Sequence, residues 1–378
     1  MKSNYIILNL ILISLTYINC SFQTTLFSRM CKEKKGENLI ISPLSIFQVL
    51  SLTTNGAKRE TQSEMLEVLQ AKDIEELNKI NNDIISIIKD FSTVDIANAV
   101  MTKFTPLEDF SIISQKYLAP IEPLISAEQV NNWCSNKTHG KIDKILDDLD
   151  FDILMILLNA VYFKGEWSSK FETFSTKKLP FFNLGIEEVN IDTMTQIEYF
   201  RYYEDKKVQV IELQFLKDYM SAIIILPAEG IDINKYINSL SVTDDDEYNN
   251  LLDELKYAKV HLQLPKFELN FTQELNQVLI DLGMFNAFSS QDADFTGLRE
   301  EGNLYINRVL HKTYLKVFED GCEAAAITEV EMWESESFDD NEKIYDMKIN
   351  RPFIFLLKNS KLPKGFDLLF MSKIEKLE

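Results

Sequence analysis

The chain has 378 residues, 46% of them apolar, enough for a sizeable buried core and unlike the composition of a disordered, collagen-like or coiled-coil protein. Its 39 basic and 59 acidic residues give a formal charge of −20, which repels phosphate backbones and sulfated polysaccharides, so neither nucleic acid nor heparin is expected as a partner. Four cysteines (Cys20, Cys31, Cys134, Cys322) form no CxxC pair and three histidines (His139, His261, His311) are scattered, which argues against a zinc site and a disulfide-stapled scaffold; no metal or cofactor is expected.

Lys2 precedes the apolar run Tyr5–Ile18, which has signal-peptide length and is short for a bilayer span. Residues 1–20 therefore read as a signal peptide of a secreted protein with no membrane anchor. The small-x-small cleavage pattern is imperfect, with Ile18 two residues before Cys20, and a cytoplasmic location is the alternative. Asn136 and Asn270 begin N-x-[ST] sequons, candidate N-glycosylation sites in a secreted protein.

Phe22, Leu26, Phe27 and Met30 recur at helical spacing. The turn-like segment 32–37 leads into a short strand, Asn38–Ile41. Ser42-Pro43 then reads as an N-cap with proline at the first helical position. The helix that follows, to about Thr54, is apolar nearly all round and should be buried. Thr61-Gln-Ser-Glu64 has the form of a capping box. Further helical patterns lie around 74–91, 125–146, 246–257 and 273–282. Ile153–Phe163 is apolar except for Asn159 and reads as a strand buried on both faces, an apolar helix being the alternative. Asn159 would then need hydrogen-bond partners. Strands are also expected at 221–227, 260–267, 314–318, 352–357 and 366–371. No repeat or Gly/Ser linker divides the chain, so one α+β domain is expected over 21–378, as a monomer.

Catalytic signatures are absent. There is no G-x-S-x-G elbow, no H-E-x-x-H, no Walker A loop and no G-x-G-x-x-G fingerprint, so an enzyme is not expected.

The C-terminal third carries the decisive pattern. Val317-Phe-Glu-Asp-Gly-Cys-Glu-Ala-Ala-Ala-Ile-Thr328 resembles the hinge of inhibitory serpins, the serine protease inhibitor family. Asn350-Arg-Pro-Phe-Ile-Phe355 is similar to the strand that closes the family's reactive loop. Asn38–Ser45, Asn55–Lys58, Leu158–Trp167, Leu264–Phe267, Leu282–Met284, Ala287–Ser289 and Ala293–Gly297 match further serpin segments in family order, so the resemblance covers nearly everything after the leader. Three departures stand out: Cys322 where Thr or Ser is usual, Ile327 where a small residue is usual, and Ser372 in place of a glycine. Ile327 puts the efficiency of loop insertion in question.

Read without the family, Cys322–Trp333 alternates with period 2. Cys322, Ala324, Ala326, Thr328, Val330 and Met332 carry no charge. Glu323, Ala325, Ile327, Glu329, Glu331 and Trp333 carry every charge. The flanks, Glu319-Asp-Gly321 and Glu334–Glu342, read as exposed loop. An ordinary edge strand with an acidic loop fits this stretch alone. Ala324-Ala-Ala326 holds an edge poorly and suits a segment that slides between two strands, with Gly321 giving freedom to swing.

The resemblance implies a serpin fold, with large mixed sheets, surrounding helices and a reactive-centre loop over about 319–346. It implies a single-use inhibitor of a serine protease: the loop is cut, the protease is held as an acyl-enzyme, and the loop inserts into the main sheet. The hinge would comprise Glu319, Gly321, Cys322, Glu323, Ala324, Ala325, Ala326 and Thr328. The family's usual spacing from Glu319 lands on Ser335–Glu336 as the reactive bond, and a count shorter by one on Glu334–Ser335. No Arg or Lys lies between Glu319 and Glu342, which disfavours a trypsin-like target. Ser335 suits an elastase-like protease; Met332, Trp333 or Phe338 suit a chymotrypsin-like one. Ser42, Ser45, Asn159 and His311 match the buried shutter cluster, and Trp167 matches the breach. A non-inhibitory serpin acting as carrier, chaperone or storage protein is the alternative.

Overall fold

The computed structural model describes residues 21–242, 245–322 and 343–378. Among these, the strands in chain order are β1 (Leu39–Ile41), β2 (Val94–Thr102), β3 (Ile121–Pro123), β4 (Met155–Phe163), β5 (Gly165–Glu166), β6 (Lys177–Asn183), β7 (Glu187–Glu204), β8 (Val208–Gln214), β9 (Met220–Pro227), β10 (Lys256–Pro265), β11 (Phe267–Glu274), β12 (Arg308–Phe318), β13 (Gly321–Cys322), β14 (Ile344–Lys348), β15 (Phe353–Asn359) and β16 (Leu368–Ile374). One sheet runs β3-β2-β4-β12-β13-β5, with β11 along the other side of β12. The second runs β1-β16-β15-β9-β8-β7-β10-β14, with β6 on β7. The helices are α1 (Phe22–Glu33), α2 (Pro43–Gly56), α3 (Arg59–Val68), α4 (Ile74–Ile88), α5 (Glu108–Lys116), α6 (Ala127–Lys137), α7 (Ile233–Val242), α8 (Asp245–Asp253) and α9 (Asn276–Leu282). Helices and mixed sheets together make an α+β architecture.

The apolar run in mid-sequence becomes β4, buried at every position. Its two faces explain this. Met155, Leu157, Val161 and Phe163 join the large core that also holds α2. Ile156, Leu158, Ala160 and Tyr162 join a second cluster with Val130 and Cys134 of α6. A strand covered on both sides loses the polar alternation of a half-exposed one. In α2, only Asn55 is less than fully buried, as expected for a helix apolar all round.

Several local expectations shift. The capping box is absent: α3 begins at Arg59, so Thr61 and Glu64 lie within it. Both side chains instead accept tertiary hydrogen bonds, Thr61 Oγ1 from the Asp294 N–H at 2.9 Å and Glu64 Oε2 from the Asn286 N–H at 2.6 Å. Ser42 does precede α2, but its hydroxyl makes no capping bond. The helical pattern at 125–146 yields only α6, with Thr138 closing it through its own hydroxyl. Residues 273–274 belong to β11 rather than to the helix that follows. The described ends of the segment around 319–346 are built into the fold. Glu319 is only 6% exposed, Cys322 is buried in β13, and Ile344–Lys348 is a strand.

Phe47 shows how α2 is held. Fully buried, it sits between Phe22 (6.0 Å between centroids) and Phe366 (4.8 Å). Phe47→Ala should lower unfolding stability by about 3–5 kcal/mol, read as a drop in urea midpoint at unchanged m-value; a loss under about 1 kcal/mol would show that α2 is not a keystone of the core.

Candidate functional site at the seam of the central sheet

β4 and β12 pair in parallel from Ile156/Arg308 to Tyr162/Tyr314. Within this pairing one row is polar. Asn98 of β2 lies opposite Asn159 of β4, which lies opposite His311 of β12. The N-terminus of α2 meets this row from below. Ser45 Oγ donates to Asn159 Oδ1 at 2.9 Å, and the Ser42 N–H donates to His311 Nε2 at 3.1 Å. His311 Nδ1 is hydrogen-bonded to Asn159 Oδ1, and Asn159 Nδ2 donates to Asn98 Oδ1 at 2.5 Å. Thr313 Oγ1 donates to the Ile40 carbonyl at 3.0 Å, tying β12 to β1. The expected residues Ser42, Ser45, Asn159 and His311 are thus brought together. Asn98 and Thr313 join them without having been anticipated. Asn98, a lone amide in the buried end of β2, gave the same signal as Asn159.

The hydrogen bonds define the imidazole. Its Nε2 accepts from an amide, so Nδ1 must carry the proton and donate to Asn159. A second proton would break the Ser42 contact and bury a charge. Burial accordingly pushes the His311 pKa from 6.5 down to about 3.

Above this row the seam opens. Gly321 and Cys322 form β13, paired antiparallel with Phe318 and Val317 of β12 on one side and with Glu166 and Gly165 of β5 on the other. The turn before β13 is anchored, not free. The Trp167 N–H donates to the Asp320 carbonyl at 2.9 Å and the Phe171 N–H to the Glu319 carbonyl at 3.0 Å. Trp167 itself is buried, stacked on Phe215 at 4.3 Å, with its indole N–H donating to the Phe318 carbonyl at 3.1 Å. Glu319 accepts from Thr176 Oγ1 at 2.7 Å and pairs with Lys266 at 3.0 Å. Burial opposes its ionisation, but these two hydrogen bonds, a backbone hydrogen bond and the Lys266 charge together hold the carboxyl below the usual range. Asp320 lies 3.5 Å from Lys170, which also pairs with Glu166 at 2.9 Å.

Gly321 is required for a reason other than freedom to swing. Its φ is +147°, and a Cβ there would lie 2.0 Å from the Gly165 carbonyl oxygen. Only glycine lets the two backbones approach this closely. Burial pushes the Cys322 thiol well above its ordinary pKa, so it stays protonated here. Glu323, Ala324, Ala325, Ala326, Thr328, Ser335 and Glu336 lie outside the described residues, as do Cys20 and the leader 1–20. Asn136 near the end of α6 and Asn270 on β11 are both exposed. Among the described residues, no group of three His, Cys, Asp or Glu is placed to hold a metal, and no helix is long and apolar enough to cross a membrane.

The family model described as "Serpin (serine protease inhibitor)" matches residues 17–376. This chain belongs to the serpin family. Among relatives, Iripin-2 from Ixodes ricinus is 32% identical over 363 residues, spanning 90% of this chain and 88% of its own. The leukocyte elastase inhibitor of Xenopus laevis is 30% identical over 363 residues, spanning 89% and 93%. Among solved structures, the thermophilic serpin tengpin in its native state superposes with a TM-score of 0.84 at 32% identity, covering 96% of this chain and 94% of that one. Human thyroxine-binding globulin complexed with thyroxine superposes at 0.83 with 26% identity, covering 96% and 98%. The serpin fold therefore stands, and the seam between β4 and β12 lies in its central sheet.

His311 makes the seam sensitive to acid. The unfolded chain takes up the imidazole proton near pH 6.5, whereas the folded one resists it to about pH 3. Stability from this group is complete above pH 6.5 and should fall by about 1.4 kcal/mol per pH unit below it. Urea midpoints from pH 7.5 to 4.5 should fall less steeply by this amount in His311→Gln. Equal slopes in the two proteins would remove His311 as the cause.

Proposed function

We propose that this serpin inhibits a serine protease by offering residues 323–342 for cleavage and trapping the protease on the cut loop. The observation that carries the reading is the register of β13. Gly321 and Cys322 already occupy a strand position between β12 and β5, in line with the seam below. Continuing that register sets Ala324 between Leu315 and Phe163, Ala326 between Thr313 and Val161, and Thr328 between His311 and Asn159. The one hydroxyl of the inward set would thus meet the polar row, and the two alanines would meet Leu315, Phe163, Val161 and Thr313, all buried. On the other face, Glu323 falls between Lys316 and Lys164, and Glu331 beside Arg308. Ile327 falls between Lys312 and Ala160, where the second apolar cluster gives its bulk a place.

Such an insertion exchanges one parallel ladder for two antiparallel ones, which are the more stable per residue. Twelve residues of strand span about 40 Å, which sets how far a tethered protease would travel. The protease serine attacks the carbonyl carbon of Ser335. The bond to the Glu336 nitrogen breaks, that nitrogen leaves as an amine carrying the proton, and an ester joins the serine to Ser335. Insertion before water reaches the ester leaves the protease trapped, so the serpin is consumed rather than turned over and is not an enzyme. An elastase-like or chymotrypsin-like target fits the loop better than a trypsin-like one. The similarity to a leukocyte elastase inhibitor leans the same way. A carrier role, as for thyroxine-binding globulin with thyroxine, is the second reading. The uncharged inward set weighs against it, since a charge there is what would block insertion. The leader and the two exposed sequons support secretion, with 21–378 as one mature domain.

Incubated with elastase and with chymotrypsin, the protein should give a complex that survives denaturing electrophoresis, and the released peptide should begin at Glu336; cleavage without such a complex would overturn trapping. Ala326→Arg would bring a cation between Thr313 and Val161, both fully buried or nearly so. That variant should be cleaved at the same bond while the stable complex falls by at least about tenfold, because a buried unpaired charge is costly; undiminished complex would exclude insertion through this register.

A further inference from the structure

Away from the seam, the second sheet borders a cavity of about 500 Å³ where four chain segments meet. They are the β6–β7 turn, the link from β9 to α7, the link from β14 to β15, and Glu375 just beyond β16. The walls are largely apolar, formed by Phe182, Leu184, Ile186, Pro227, Ile231 and Pro352. Three of these stay open to solvent, Ile186 at 83%, Leu184 at 40% and Ile231 at 36%. Two opposite charges sit among them. Glu375 is only 5% exposed and pairs with Lys373, which is fully buried. Its Oε1 also accepts from the Gly36 N–H at 3.1 Å and from Asn234 Nδ2 at 3.3 Å. Lys373 in turn donates to Asn234 Oδ1 and to the Lys34 carbonyl, both at 2.8 Å. A buried pair of this kind adds little net stability. What it supplies here is a carboxylate fixed at a cavity wall, with all its hydrogen bonds on Oε1 and none on Oε2 among the described residues. Arg351, half-buried, is the counterpart. Its Nε donates to the Pro227 carbonyl at 2.9 Å and its Nη1 to Asn350 Oδ1 at 3.1 Å. Both acceptors are neutral, and Nη2 has no hydrogen bond among the described residues. Glu229, exposed beside it, favours the charged guanidinium from a distance. Asp232 is turned to the first turn of α7, where it accepts from the Lys235 N–H at 2.9 Å.

We propose that this cavity binds a short apolar peptide with free ends, its ammonium on Glu375 and its carboxylate on Arg351. The proposal goes beyond protease inhibition and uses no residue of the seam or of the segment 323–342. The charges select a zwitterion. A lone anion would face Glu375, and a lone cation would face Arg351, whereas a free peptide satisfies both with charge-assisted hydrogen bonds. The backbone sets the length. The Phe182 N–H donates to the Asn350 carbonyl and the Leu184 N–H to the Glu375 carbonyl, each at 2.8 Å. The two donors are two residues apart, so Asn350 and Glu375 are anchored on the order of 7 Å from each other, the reach of a dipeptide and more than that of one amino acid. Arg351 follows Asn350 directly. The volume lies within the range of small-ligand clefts, roughly 300–1,000 Å³. Leucine-like side chains would lie against Ile186, Leu184 and Ile231 and take that apolar surface out of water.

The test is calorimetric titration of the full-length protein at neutral pH with Leu-Leu, N-acetyl-Leu-Leu, Leu-Leu-amide and leucine. Leu-Leu should bind. Capping either end, or shortening to leucine, should weaken the Kd at least about tenfold. Arg351→Gln should weaken Leu-Leu about tenfold and leave Leu-Leu-amide within about twofold, because the amide has no carboxylate for the guanidinium to hold. Ile186→Ser, at a position open to solvent, should weaken both peptides about threefold at an unchanged urea midpoint. If Arg351→Gln lowers the urea midpoint, the capped peptides and Ile186→Ser decide alone. No Leu-Leu binding with a Kd below about 5 mM, equal affinity for the free and capped peptides, or undiminished binding by Ile186→Ser would overturn the site. Equal affinity for leucine and Leu-Leu would overturn the assignment to a peptide.

Discussion

The contact between Asn159 and His311 closes the central sheet, and much of the rest is arranged around it. It joins an amide and an imidazole that face each other across a parallel pairing in which every residue of β4 other than Asn159 is apolar or aromatic, and it is locked from below by the first turn of α2. Three consequences follow from one cluster. The two strands are held in register. The imidazole is kept neutral and of one tautomer. The amide of Asn159 is satisfied in a strand with no access to water. Because each bond is made by a side chain that can turn, the closure is specific without being covalent or permanent.

The upper end of the seam is built on a different principle. There the sheet is already parted, and two residues of the segment fill the gap by backbone pairing alone. A side chain on Gly321 would collide with the backbone of β5 at Gly165. The ion pairs Glu319–Lys266 and Lys170–Asp320 clamp the turn that feeds the gap. A tightly anchored start followed by a polar closure further down would give the proposed insertion a fixed direction, from Trp167 towards the row at His311.

How much of this could be read in advance depended on the range of the interaction. Strand β4 and helix α2 announce themselves, because burial on all sides removes polar residues from a continuous stretch. Asn159 and His311 were recognisable as site residues through the ordered serpin motifs, and Asn98 carried the same signal unnoticed. The tetrad Thr61–Glu64 misled because a capping box and a mid-helix pair with tertiary partners look alike locally; its partners lie more than two hundred residues away. Strand β7 hid for another reason. Its middle, residues 195–199, has no buried position, so the alternation at its two ends is interrupted. The clamp on Glu319 was invisible because Thr176 and Lys266 meet it only through the fold.

The register at Gly321–Cys322 has a further consequence, which concerns counting. A strand shows alternate residues to alternate sides, so adding or removing one residue between the clamp and the alanines would exchange the two sets entirely. Glutamates would turn to the core and alanines to the solvent. Changes in pairs would preserve the faces and only slide the hydroxyl of Thr328 away from the polar row. Under the proposed insertion the hinge would therefore tolerate variation in length by parity: an even change would alter how well the sheet recloses, and an odd one would deny it a strand to accept.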